Sequence, residues 1–158
     1  MEGTCACGTC RFRVTVAPIV THACHCTACQ RETGSVFATN AVVESAAIEL
    51  LNGDPVAVTL PSASGKGQIL HRCPDCGVTL WSNYAGLGPS LSFIRVGTLA
   101  PGHGIVPDVH IYTSTRQPWV PIPDGARVFD DFYKLPEVWG PEGLARWKTA
   151  REAWGRPA

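Results

Sequence analysis

The stretch that decides the fold is Cys73-Pro-Asp-Cys-Gly77. Two cysteines separated by two residues and followed by glycine form a tight turn that aims both sulfurs at one metal ion. Backbone N–H groups in such a turn point toward the sulfurs and support their thiolate form. A tetrahedral zinc site needs two further ligands, so this turn must be held against another part of the chain.

Cys5 and Cys7 are the natural partners of this turn. Two cysteines one residue apart seldom form a disulfide with each other, because disulfide geometry allows only a narrow Cα separation and torsion, but they can chelate a shared ion. A site of Cys5, Cys7, Cys73 and Cys76 would be closed by four thiolates and would leave no position for a substrate, which is typical of structural zinc. Its binding free energy would contribute directly to folding.

A second cysteine group is Cys24-His-Cys-Thr-Ala-Cys29, which repeats the C-x-C-x-x-C pattern of residues 5–10. Cys24, Cys26 and Cys29 supply three ligands, and Cys10 is the remaining cysteine of the eight. Two alternatives stay open. If Cys10 completes the second site, both sites are closed and the chain has no evident chemistry. If Cys10 is only a small buried side chain, the second site has an open position.

Two histidines lie beside this second group, His22 and His25. A histidine near a metal is at least as often a hydrogen-bonding support for the ligands as a ligand itself. Since His25 alternates with two cysteines along an extended segment, its side chain should point the opposite way, and we do not expect it to bind the same ion.

Length and charge exclude several classes of function. The chain has 158 residues and equal numbers of basic and acidic side chains, 13 each, so we expect one domain over residues 1–158 and no nucleic-acid partner. No stretch approaches the ~20 apolar residues of a membrane span and no signal-peptide pattern is seen, so we expect no membrane partner and a cytoplasmic location. Because disulfides need an oxidising compartment, metal binding is the favoured use of the cysteines. The oligomeric state is not predicted.

Short runs rich in Val, Ile, Thr and Phe between turn residues predict a mainly β fold. Arg11–Val16 alternates polar and apolar residues, as a strand with one buried face does. The further predicted strands are Ala38–Val43, Ile48–Leu51, Val56–Leu60, Gln68–His71, Thr79–Trp81, Leu91–Val96 and Val109–Tyr112. Asn52–Pro55 and Ser62–Gly67 carry turn residues, so we expect the strands on either side of each to pair antiparallel.

The C-terminal segment is the one clear helix of the sequence, with Pro141 in its first turn. Leu144, Trp147 and Trp154 recur at spacings compatible with one helical face. We expect this face to pack on the sheet core, with a frayed helix carrying exposed tryptophans as the alternative.

The two cysteine groups and their surroundings resemble the glutathione-dependent formaldehyde-activating enzyme family, whose zinc-binding domain also occurs in centromere protein V. The landmarks are Gly3–Gly8, Cys24–Ser35, Arg72–Gly77, Leu80–Trp81, Gly97–Leu99, Val109–Tyr112 and Gln117–Trp119. The resemblance implies a tent-like (Mss4-like) zinc-binding fold of small antiparallel sheets with a short C-terminal helix. It also implies two Zn2+ ions per chain, a structural one at the four-cysteine group and a catalytic one at Cys24, Cys26 and Cys29.

The activity implied by the resemblance is of the carbon–sulfur lyase type. A thiol such as glutathione would bind at the open zinc and add to a small aldehyde such as formaldehyde, giving S-hydroxymethylglutathione. Gln30, Arg31 and Ser35 follow the second cysteine group and are candidates for binding a glutathione carboxylate or amide. His110 and Trp119, from the family-like C-terminal stretch, are candidate pocket residues. The alternatives are a non-catalytic interaction module stabilised by zinc and a sensor of thiols or metal.

Overall fold

The computed structural model describes residues 1–102 and 104–155, and its strands form two sheets. The small antiparallel sheet has three strands in the order β1-β2-β5, which are β1 (Glu2–Thr4), β2 (Arg11–Val14) and β5 (Ile48–Asn52). The large sheet consists of β3 (Val20–Cys24), β4 (Ala38–Glu44), β6 (Val56–Leu60), β7 (Gln68–Arg72), β8 (Thr79–Tyr84), β9 (Leu91–Arg95), β10 (Val109–Ile111) and β11 (Arg127–Phe129). Its strand order is β11-β10-β3-β4-β9-β8-β7-β6. The predicted mainly β fold is confirmed.

The large sheet is buried at its centre, and the small sheet covers one part of it. Every residue of β3 and of β9 is buried, whereas β2 alternates between exposed arginines and buried apolar residues. Phe12 of β2 meets Trp81 of β8 edge to face, with ring centroids 5.6 Å apart. This aromatic contact joins the two sheets and lies in a core cluster that also contains Cys5 and Cys73.

The predicted turns have different outcomes. Ser62–Gly67 joins β6 to β7, which pair antiparallel as expected. The prediction for Asn52–Pro55 is wrong, because β5 pairs with β2 while β6 pairs with β7, and the chain passes from one sheet to the other at this point. The reason lies in the contacts of the turn: the Asn52 side chain donates to the Thr9 carbonyl at 2.7 Å. A Cβ on Gly53 would lie 2.7 Å from the same oxygen, so the turn is docked on the loop before β2 instead of closing a hairpin.

Helices lie beside the large sheet. They are α1 (Thr27–Thr33), α2 (Leu135–Val138) and α3 (Gly140–Ala153). Leu144 and Trp147 of α3 pack against the core cluster of the large sheet, as predicted, whereas Trp154 is 52% exposed. In the described part of the chain, no helix combines the length and the apolar character that crossing a bilayer requires.

Candidate metal centres and the adjoining cavity

The four-cysteine group connects the two sheets. Cys5 and Cys7 lie in the loop between β1 and β2, and Cys73 and Cys76 lie in the turn between β7 and β8. The four sulfurs lie within 4.8 Å of one another, with 3.5 Å between Cys5 Sγ and Cys7 Sγ and 3.7 Å between Cys7 Sγ and Cys73 Sγ. Tetrahedral zinc with bonds of about 2.3 Å places its sulfurs about 3.8 Å apart. This set of donors therefore fits a closed zinc site.

Backbone N–H groups donate hydrogen bonds to sulfurs of the four-cysteine group. The Cys10 N–H donates to Cys5 Sγ at 3.2 Å. Hydrogen bonds from the backbone N–H groups of Val78 and Cys7 lower the pKa of Cys76. Gly77, with φ of 72°, takes the left-handed conformation that closes the turn. Since metal ligands must be deprotonated, these contacts favour the binding form of the thiols.

The three-cysteine group is built at the junction of β3 and α1. Cys24 ends β3, Cys26 is the N-cap of α1 and Cys29 lies in its first turn; all three are buried, with sulfurs within 4.8 Å of one another. Among residues 1–102 and 104–155, no further histidine, cysteine or carboxylate joins them within that distance. Hydrogen bonds from the Cys24 and Cys29 thiols, together with the Cys29 and Ala28 N–H groups, lower the pKa of Cys26 to about 3. The junction thus favours a thiolate at Cys26.

Cys10 lies with the other group. Its side chain is fully buried and belongs to the core cluster of Cys5 and Cys73, whereas Cys24, Cys26 and Cys29 belong to the second core cluster. Burial raises the pKa of the Cys10 thiol, which favours its neutral form. The structure therefore does not bring Cys10 to the three-cysteine group.

A cavity of about 90 Å³ adjoins the three-cysteine group, and all three cysteines line it. Most of its remaining wall is apolar or aromatic, with Tyr84, Leu87, Phe93, Ile111, Tyr112 and Phe132. Tyr112 directly follows β10 and has φ of 56°, which is unusual for a bulky residue and ends the strand there. The polar residues His22, Asn40, Ser64 and Gln68 also line the cavity. The arrangement is a small, largely apolar chamber with sulfurs at one side.

The three candidate binding residues that follow Cys29 lie outside this cavity. The Gln30 amide donates to the backbone carbonyls of His25 at 2.7 Å and Thr115 at 2.9 Å, so it ties α1 to the segment after β10. Arg31 and Ser35 are exposed, and Ser35 lines a separate polar cleft. Their proposed contact with substrate stays a prediction.

His110 and Trp119 also lie outside the cavity. His110 is buried, and its Nδ1 lies 3.0 Å from His25 Nε2 in a stacked pair of rings. Burial lowers the pKa of His25 to about 4, so this ring is neutral near pH 7. Trp119 is 72% exposed. Any contact of these side chains with substrate would be made beyond the cavity wall.

A buried charge network that sequence reasoning missed lies behind the cavity. Glu32 of α1 accepts hydrogen bonds from Arg95 at 2.9 Å and from the Thr79 hydroxyl at 2.6 Å. Arg95 in turn donates to Asn40 Oδ1. Glu32 and Arg95 side chains are each only 7% exposed, and such buried charges occur in proteins when they are paired. The only sequence signal for this network was the place of Glu32 within the family-like stretch Cys24–Ser35.

Both cysteine groups lie in a part of the chain that matches a known protein family. The model of the glutathione-dependent formaldehyde-activating enzyme family matches residues 1–115. The chain belongs to the glutathione-dependent formaldehyde-activating enzyme family. The matched range contains both cysteine groups and ends shortly after β10, so the resemblance predicted from the sequence is confirmed.

Among solved structures, a crystal structure of a Rhodobacter sphaeroides protein, a structural genomics target, is similar to this member of the family. The two are 20% identical, and the match covers 68% of this chain and 92% of that chain with a TM-score of 0.50. At this identity the similarity concerns the fold alone.

Proposed function

We propose that this protein is an enzyme of the carbon–sulfur lyase type that joins a small thiol, such as glutathione, to a small aldehyde, such as formaldehyde. The observation that carries the proposal is the group of Cys24, Cys26 and Cys29. Three buried sulfurs converge there without a fourth ligand from the described chain, and they form one wall of a cavity. Membership of the family supports the choice of thiol and aldehyde.

Two zinc ions per chain are part of the proposal. Cys5, Cys7, Cys73 and Cys76 would hold a structural ion, since four thiolates complete a tetrahedral site. The three-cysteine group would hold the second ion, whose chemistry is to provide a binding position for a thiol and to favour its thiolate form. The place of Cys10 in the other core cluster supports an open fourth position.

The chain's own residues would contribute orientation and exclusion of water. The Cys29 N–H at the start of α1 donates to Cys26 Sγ at 3.3 Å and would help to orient this ligand. The aromatic and aliphatic wall keeps the reacting carbonyl away from bulk water, which strengthens electrostatic interactions within the cavity. Because the cavity is small, most of a tripeptide such as glutathione would lie outside it. Arg31, Ser35, His110 and Trp119 remain the candidates for contacting that outer part, together with Gln30.

The test combines metal analysis with a rate measurement. Mass spectrometry should find about two zinc ions per chain. Exchange NMR should show that the protein accelerates the interconversion of formaldehyde and glutathione with their adduct. Cys26→Ser should lose one ion and the acceleration while the chain remains folded. Cys10→Ala is the matched control and should keep both.

Full acceleration in Cys26→Ser, or a single zinc ion in the wild-type protein, would refute the proposal. Loss of the second ion in Cys10→Ala would instead indicate the closed, non-catalytic alternative.

A further inference from the structure

Two polar side chains of the cavity wall, His22 and Asn40, each use only some of their hydrogen-bonding atoms within the fold. His22 of β3 and Asn40 of β4 stand directly opposite each other in the antiparallel register, and both line the cavity. They are 0% and 2% exposed, and His22 Nδ1 has no hydrogen-bond partner in the described chain. A buried polar atom left without a partner costs about 1–3 kcal/mol. An unpartnered nitrogen on a side chain that lines a cavity points to a ligand.

The hydrogen-bond chain behind His22 determines which of its nitrogens carries the proton. The Trp139 indole N–H, which can only donate, donates to the Tyr133 hydroxyl oxygen at 2.6 Å. That oxygen lies 2.6 Å from His22 Nε2. If Tyr133 donates its proton to Nε2, then the Trp139 N–H, the Tyr133 hydroxyl and His22 Nε2 all have partners. The opposite arrangement would leave the tyrosine proton without an acceptor. His22 therefore carries a proton on Nδ1, where it is a donor.

Asn40 is oriented in a similar way by a group that can only donate. Arg95 donates to one atom of the Asn40 amide, which must therefore be the oxygen. The ion pair of Arg95 with Glu32, at 2.9 Å, holds the guanidinium in place. The amide nitrogen of Asn40 keeps two N–H groups, and no described residue accepts from them. Asn40 thus presents a second donor next to His22.

We propose that His22 Nδ1–H and Asn40 Nδ2–H bind the carbonyl oxygen of the aldehyde beside the three-cysteine group, an inference that rests on the proposed function. In the addition step, an electron pair of the thiolate sulfur forms the carbon–sulfur bond while the π pair of the C=O bond moves to the oxygen. The thiol has given its proton to water before this step. After the addition, the former carbonyl oxygen takes a proton from water. Throughout, His22 and Asn40 keep their protons and stabilise the negative charge on the oxygen.

Two kinds of residue would act on the carbonyl group. His22 and Asn40 would touch the substrate oxygen and act as catalytic residues. Tyr133 and Arg95 would act through them as positioning residues, since each fixes which atom faces the ligand. Donors that are oriented before the substrate arrives need no reorganisation during the reaction, which is the condition for strong stabilisation of a developing oxyanion.

The test uses zinc-loaded protein and variants that remove one donor at a time. His22→Phe and Asn40→Leu should each lower kcat about 100-fold, the effect of removing one oxyanion donor in other enzymes, with little change in KM for the thiol. The matched controls are His71→Phe and Asn83→Leu, which change a hydrogen-bonded pair on β7 and β8 outside this cavity. Both controls should keep the wild-type kcat.

The zinc content of the variants shows whether His22 binds the carbonyl group or supports the metal site. Two ions per chain and a large loss of kcat in His22→Phe support the inference. Loss of the second ion in this variant, or a kcat within about threefold of wild type with both ions present, overturns it. Tyr133→Phe keeps both side chains but no longer fixes the His22 tautomer, so we expect a smaller loss of kcat than in His22→Phe.

A spectroscopic readout is independent of turnover. In 15N NMR spectra of the wild-type protein, His22 should be the tautomer with its proton on Nδ1, and Tyr133→Phe should give a mixture. Acetone, a carbonyl compound that adds thiols poorly, should shift the Nδ1–H proton signal downfield. A proton on Nε2, or no response to acetone, overturns the inference. A wild-type protein that accelerates no adduct formation would refute the proposed function, while the acetone titration would still test the carbonyl site.

Discussion

The two cysteine groups should contribute differently to stability, because they close loops of very different length. The perturbation is a pair of matched double variants, Cys73→Ala with Cys76→Ala and Cys26→Ala with Cys29→Ala. Each removes two ligands and should release one ion. We expect the first variant to lose more of the free energy of unfolding than the second.

The magnitude follows from the positions of the ligands. Cys7 and Cys73, whose sulfurs lie 3.7 Å apart, are separated by 66 positions in the sequence. On the chain-entropy model of a cross-link, closing a loop of this length stabilises the fold by about 4 kcal/mol. The three-cysteine group spans only residues 24–29. The same model gives about 2 kcal/mol for a loop this short.

Urea unfolding at 25 °C, with zinc measured in the same samples, tests the difference. With a typical slope of about 2 kcal/mol per molar urea, the midpoints of the two variants should differ by about 1 M. Cys26 and Cys29 are both buried, whereas Cys76 is exposed. Lost packing alone would therefore make the Cys26→Ala, Cys29→Ala variant the less stable one, which is opposite to the predicted order. An equal or larger loss in the Cys26→Ala, Cys29→Ala variant would refute the assignment of the four-cysteine group as the structural cross-link.

Two further predictions concern α3 and the strands it covers. Arg146→Met removes a bidentate pair with Glu44, at 2.7 and 2.6 Å, and should cost about 1–3 kcal/mol at pH 7. Since hydrogen bonding to Arg146 lowers the pKa of Glu44, this contribution is present above about pH 4.5 and is lost as the pH falls through the folded-state pKa. Thermal unfolding against pH should show the gap to wild type shrinking toward pH 3, and a constant gap would contradict this. Gly143→Ala places a Cβ 2.8 Å from Ile19 Cγ2 and should cost about 1–3 kcal/mol. Gly97→Ala, with nothing within 4 Å of the new Cβ, should change stability by less than about 0.5 kcal/mol in the same assay.

The grouping of the cysteines could be predicted from the sequence because two cysteines separated by one or two residues can face one metal ion. The turn at Cys73–Gly77 and the pair Cys5 and Cys7 converge as their spacing indicates. Strand β6 matches its predicted range, Val56–Leu60, because turn residues bound it on both sides. In β2 the predicted alternation is observed, since only one face of the small sheet is buried.

Other elements gave too weak a signal. Strand β3 is buried on both faces and contains Thr21 and His22, so it shows neither alternation nor an apolar run. Helix α1 has seven residues, and its N-cap is the sulfur of Cys26 instead of the usual hydroxyl or carboxylate. The ordinary helix signals in this segment were Gly34, with φ of 65° at its C-terminal end, and Arg31 in the last turn.

The cavity was beyond sequence reasoning because its wall combines distant parts of the chain. Residues from His22 to Phe132 meet there through the order of the large sheet, which includes the parallel pairing of β10 with β3. Candidates chosen for their closeness to Cys29 in the sequence, such as Arg31 and Ser35, are exposed instead. Closeness in sequence identifies ligands that share a turn, but it does not identify residues that share a pocket.

His22 and Cys24 lie on one strand, so the proposed carbonyl donor and the proposed thiol site share one structural element. Residues two apart on a strand share a face and lie about 6.6 Å apart, so β3 sets the distance between the sulfurs and the carbonyl donor. Helix α1 acts on both as well, because it carries Cys29 and also Glu32, which holds Arg95 against Asn40. A shift of β3 against α1 would therefore disturb the thiol and the carbonyl positions together. The four-cysteine group lies in the other core cluster, so it can stabilise the sheets without constraining this geometry.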